Sequence, residues 1–63
     1  MNQIELIKEA GRKAFIARKN NDESTARFHF EWARKAIYLE NKPSEAQKAF
    51  EDAYREEAKS YGY

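Results

Sequence analysis

Cysteine is absent from this chain, which excludes a disulfide framework and a thiolate zinc site. Proline occurs once and glycine twice in 63 residues, so no glycine-rich phosphate loop and no proline-rich linker can be assembled. No apolar run approaches the roughly 20 residues that span a bilayer. The opening M-N-Q-I-E-L-I-K-E is broken by Glu5 and Lys8, which does not suit a secretory leader. Neither sign of charge dominates, since 12 Lys and Arg face 11 Asp and Glu for a net +1. That balance is unlike an acidic disordered tail or a basic nucleic-acid arm. The expectation is a cytoplasmic protein with no membrane segment. Because the chain begins at Met, it reads as a complete small frame.

What the chain does contain points to a folded helical domain. Aromatic residues make up 14% of it, where disordered segments are poor in them. Ten alanines run through the whole length, and no window alternates with the two-residue period of a strand. One domain, residues 1–63, is the only sensible division at this length. Three helices are predicted, over about 3–19, 23–40 and 45–60. In the first, Ile4, Leu6, Ile7, Ala10, Gly11, Ala14, Phe15 and Ala17 share one half of a wheel turning at roughly 100° per residue. Gly11 lies inside that arc, so its expected use is close approach of another helix. Asn20-Asn21-Asp22 supplies a helix stop and the next N-cap. Pro43 followed by Ser44-Glu45-Ala46-Gln47 matches a capping box for the third helix. Ser60-Tyr61-Gly62-Tyr63 reads as a frayed end. Glu9–Lys13, Glu23–Arg27 and Glu31–Lys35 have the spacing of i,i+4 ion pairs.

Short connections favour antiparallel neighbours, hence an all-α, up-down-up three-helix bundle. The second helix holds the only Trp, the only His and two of the four Phe. Its apolar arc covers roughly 200°, twice the stripe of ~100° that a single contact needs. Such width suits a helix packed on two others, or one packed inside and also binding outside. The prediction places helix 2 at the centre, with Phe28, Trp32 and Leu39 on one side and Ala26, Phe30, Ala33 and Ile37 on the other. The Phe28–Trp32 run then reads as core.

Small residues recur at one spacing: Ala10, Ala14, Ala17; Ala26, Phe30, Ala33; Ala46, Phe50, Ala53. The A-x3-F-x2-A form of the last two sets is similar to the second helix of a tetratricopeptide repeat. The resemblance covers eight residues per helix and implies helical hairpins. The W-x2-L-G-x2-Y segment and the following proline of that repeat are missing here. Small residues at this spacing also serve any close helix contact.

Chemistry-bearing residues are sparse. His29 lies in the apolar arc, where general base, metal ligand and pH switch are the functional options. Its helical neighbours at ligand spacing are Thr25, Trp32 and Ala33, so a packed histidine with one hydrogen-bond partner is expected. Arg18 and Glu57 also intrude on apolar faces. An up-down-up layout would bring Arg18, His29 and Glu57 to one end as a polar cluster that fixes register. Adjacent acids Glu51-Asp52 and Glu56-Glu57 point to different sides of a helix and frame no site. No nucleophile–base pair, metal cluster or cofactor motif appears, so the expectation is no enzyme, no catalytic residue, no metal and no cofactor.

The remaining reading is a protein-binding module acting as a regulator, inhibitor or adaptor, through occlusion or bridging by a helix face. Composition and length are comparable to accessory proteins of bacteria and phages. Ile16, a lone large apolar residue among charges, is either an ordinary exposed side chain or a partner anchor. Tyr38 holds the matching place on helix 2, and Arg12, Arg27 and Arg34 flank the two, with Tyr61–Tyr63 as an accessory contact. Self-association is a companion expectation, since so small a core gains from a second copy. The alternative is a nucleic-acid-binding accessory protein. Met1–Lys42 carries nine basic and six acidic residues, against three and five in Pro43–Tyr63. Lys8, Arg12 and Lys19 form one basic line, and Arg27 and Arg34 another, each bordered by Glu.

Overall fold

The computed structural model describes residues Gln3–Tyr63 and contains three helices: α1 (Gln3–Lys19), α2 (Glu23–Tyr38) and α3 (Pro43–Ser60). They form the up-down-up bundle that the pattern predicts. The central helix, however, is α1 and not α2. Helix α1 packs along its length on both neighbours, whereas α2 and α3 meet only sparsely.

The physical reason is side-chain size. Close packing on two sides requires small residues on two adjacent seams. Helix α1 has them: Ala10, Gly11, Ala14 and Ala17 are all buried. An ideal Cβ on Gly11 would lie 2.7 Å from the backbone oxygen of Phe50, so α3 sits on this residue as closely as a glycine allows. On the α2 side the buried partners are Ala26, Ala33, Ala36 and Ile37. Helix α3 contributes Ala46, Phe50 and Ala53. Ile7, fully buried, is the one large side chain at the middle of this alanine-rich core.

The helix ends follow from local chemistry. Asn21 adopts φ 61°, and the N–H groups of Asn21 and Asp22 donate to the carbonyls of Arg18 and Ala17 at 3.0 and 2.8 Å. This is a Schellman closure of α1, with asparagine in the left-handed position. Asp22 then caps α2, accepting from the Thr25 N–H at 3.2 Å. The Thr25 side chain, and then its backbone N–H, hold the Asp22 carboxyl below its ordinary pKa.

Three local expectations are overturned. Helix α2 stops at Tyr38 and α3 begins at Pro43, because proline suits the first helical position and drives Lys42 out of the helical region. Ser44 therefore lies inside the helix, Lys42 is an N-cap without a side-chain bond, and the capping box does not form. Gln47 instead donates to Glu51 at 2.9 Å. The C-terminus is closed, not frayed. Gly62 at φ 87° lets the Gly62 and Tyr63 N–H groups reach the carbonyls of Lys59 and Ala58, both at 3.0 Å. Tyr61 and Tyr63 pack on Phe15, with ring centroids 5.9 and 5.7 Å away. The surface ion pairs also differ. Glu9 meets Arg12 at 3.5 Å, Glu5 meets Lys8 at 3.9 Å, and none of Glu9–Lys13, Glu23–Arg27 and Glu31–Lys35 closes among the described residues.

The two caps give a paired prediction. Asp22→Ala should lower the melting temperature at neutral pH, while Ser44→Ala should leave it nearly unchanged. A carboxyl whose folded pKa is depressed contributes stability above its unfolded pKa and loses it as pH falls through the folded value. The Asp22→Ala deficit should therefore narrow as melting is followed down through the carboxylate range. A deficit independent of pH would remove the charged cap as its cause.

Candidate protein-binding face

Helix α2 buries Ala26, Ala33, Ala36 and Ile37, packs Phe30 against the core, and turns Phe28 and Trp32 outward. Phe28 is 63% exposed, Leu39 80% and Trp32 36%. The side predicted to be core is thus a surface. At roughly 100° per residue, Phe28, Trp32 and Leu39 lie within about 40° of one another, a single stripe along the helix. Leu6 of α1, itself 36% exposed, borders Trp32 and Phe28 across a shallow depression of about 190 Å³. Lys13, Glu9 and His29 line the same depression. The result is an apolar strip with charged edges, which is the composition of a docking surface.

His29 is half-buried beside Phe28, ring centroids 5.3 Å apart, and neither nitrogen has a hydrogen bond among the described residues. It is a wall of the apolar strip and not a hydrogen-bonded core residue. Arg18, His29 and Glu57 do not form a cluster. The Arg18 guanidinium lies 5.8 Å from the Phe30 ring centroid, His29 lines the α1–α2 depression, and among the described residues no hydrogen bond or ion pair joins either to the Glu57 carboxylate. One helix side holds Phe30 and the other His29, so α2 itself separates Arg18 from the histidine.

The five residues expected to bind a partner are dispersed. Arg34 and Tyr38 share a depression of about 380 Å³ with Lys35 and Leu39 at the end of α2. Tyr38 is 83% exposed and continues the apolar strip past its edge. Arg12 turns instead into the α1–α3 groove, opposite Glu45 and Asp52. Ile16 is half-buried on α1, and Arg27 is exposed near the start of α2. On the basic line of α1, Lys8 and Arg12 pair with acids and the Lys19 ammonium lies 4.7 Å from the Tyr61 ring centroid. No three His, Asp or Glu side chains among the described residues are placed to hold a metal ion. No helix among them is long and apolar enough to cross a membrane.

No protein-family model, curated protein or solved structure matches this chain.

Proposed function

We propose that this chain is a small non-catalytic protein-binding module of the cytoplasm, regulating, inhibiting or bridging a protein partner through a helix face. The observation that carries this reading is the outward stripe of Phe28, Trp32 and Leu39, extended by Leu6. Single exposed apolar residues are ordinary, but four that adjoin in one strip are not. Aromatic residues in such a strip are the typical anchors of an interface, with the surrounding charges as rim. Arg34 and Tyr38, beside Leu39, extend the same face and are its polar end.

The test compares captured proteins for three forms of the chain. Phe28→Lys with Leu39→Lys should abolish capture while leaving the helical circular dichroism intact, since both side chains are largely exposed. Ile16→Asp with Tyr38→Ala should weaken capture less. If every captured protein survives the Phe28 and Leu39 exchanges, the face is misassigned.

A further inference from the structure

The stripe on α2 has a spacing that matches itself in reverse. Phe28, Trp32, Lys35 and Leu39 follow at intervals of four, three and four residues. Reading the helix backwards gives the same intervals. A two-fold contact between identical helices requires such self-complementarity, since each side chain meets the counterpart of its own partner. The intervals are also those of a coiled-coil seam, which keeps the same face toward a neighbouring helix.

Charge follows the same symmetry. Glu31 and Lys35 lie on the solvent flank of the stripe, both exposed. They stand four residues apart, yet no ion pair joins them. When two α2 helices lie antiparallel about an axis near residue 33, Glu31 of each comes level with Lys35 of the other. The two-fold places both pairs on one flank, so the contact forms twice. Moving the axis half a residue, to between residues 33 and 34, sets Phe28 level with Leu39 of the second copy, keeps each Glu31 within one residue (about 1.5 Å) of the level of Lys35, and leaves the two Trp32 rings on either side of the centre. The Lys35 stem covers apolar surface while its ammonium reaches the rim. In the parallel arrangement the two-fold would carry the two Glu31–Lys35 flanks to opposite sides of the contact, so these pairs could not form.

The area is also of the right order. Phe28, Trp32, Leu39 and Leu6 together expose on the order of 400 Å² of apolar surface, taking aromatic side chains at roughly 150–250 Å². A specific interface of standard size buries about 800 Å² per partner, somewhat over half of it apolar. The stripe therefore supplies the apolar part of one protomer's share of a dimer at the small end of that class. The chain also needs the cover, because eight of its twelve buried hydrophobic residues are alanines while its Trp and one Phe remain outside.

We propose that the apolar face of α2 is covered by a second copy of this chain, with the two α2 helices antiparallel about a two-fold axis near residue 33. This rests on the reading of that face as protein-binding and names its partner. Sedimentation equilibrium from about 1 μM to about 1 mM, the range of small specific interfaces, should show twice the monomer mass at the upper end. Emission from Trp32, the only tryptophan, should shift to shorter wavelength with the same midpoint. Trp32→Lys should leave a helical monomer. Glu31→Lys or Lys35→Glu alone should weaken association at least about tenfold by setting like charges opposite each other. The double exchange should restore it. These two positions are exposed, so unchanged helical dichroism separates lost pairing from lost folding. The proposal is overturned by a dimer that ignores Trp32→Lys, or by charge exchanges that do not compensate. A monomer at every concentration that still captures another protein through Phe28 and Leu39 overturns the second copy and leaves the protein-binding reading standing. A monomer without such capture overturns both.

Discussion

Ile7→Ala is expected to unfold much of this protein under conditions where the wild type is folded. Ile7 is the largest side chain that is fully buried, and the core around it is mostly alanine. Truncating a buried isoleucine costs about 2–5 kcal/mol, toward the upper end where the surroundings cannot collapse. Here they have little with which to collapse. Five of the seven other buried residues of its cluster are alanines, whose methyl groups have no rotamer with which to fill the void, and only Ile37 and Phe50 could shift toward it. A chain of this length has roughly 3–9 kcal/mol in total, at about 0.05–0.15 kcal/mol per residue. The urea midpoint followed by circular dichroism should fall by half or more, with Ile7→Val lowering the stability by about 0.5–1.5 kcal/mol and the midpoint in proportion. Leu39→Ala removes the same number of carbon atoms from an 80% exposed position and should change little in the dilute monomer. The ordering matters for the architecture. If α2 were central with its stripe inside, Leu39 would be the costlier loss. Equal midpoints for Ile7→Ala and Leu39→Ala would contradict a core built on α1.

How far the sequence reaches is shown by the α1–α2 junction and the two sides of α2. The junction is legible because Asn20-Asn21-Asp22 encodes both the left-handed stop of α1 and the N-cap of α2, and both form. Three amphipathic segments with short links also suffice for the bundle. Apolar width alone points to α2 as the central helix, and side-chain size decides for α1. Width shows how much surface a helix prefers to keep dry, while small residues on adjacent seams show how many helices can approach it. Helix α1 combines Gly11 with three alanines, and α2 carries Phe28 and Trp32 where a second close neighbour would need to sit. The exposed stripe is hard to read for the same reason, since a hydrophobic run looks like core until geometry turns it outward. Its four-three-four spacing, in a chain rich in alanine, is the signal that points to it. At the tail, Gly62 two residues beyond Ser60 carries the message of a left-handed closure, which the aromatic Tyr61 and Tyr63 obscure. At Ser44 a motif and a proline compete, and the proline wins because its fixed φ starts the helix two residues earlier.

Gly11→Ala should destabilise the protein even though it strengthens the helix that contains it. In a solvated helix, alanine is better than glycine by about 1 kcal/mol. A peptide covering α1 should accordingly gain helicity. In the folded chain the added Cβ would lie 2.7 Å from the Phe50 carbonyl oxygen and 3.4 Å from both the Ala53 Cβ and the Tyr54 nitrogen. A helix carbonyl cannot swing aside as a flexible side chain does, so α3 must move outward as a body. That shift loosens Ala53 and the edge-on contact of Tyr54 with Phe15, now at 5.5 Å between centroids. Overpacking of this kind costs about 1–3 kcal/mol net, with the sign opposite to propensity. Thermal melting of the full chain beside dichroism of the peptide measures both signs. Higher peptide helicity with an unchanged or raised protein midpoint would mean that α3 does not press on Gly11. The stripe lies on the α2 side of α1, away from this seam. The folded fraction of Gly11→Ala should therefore retain the Trp32 emission and the association behaviour of the wild type. The Gly11 seam and the apolar stripe thus lie on opposite sides of α1.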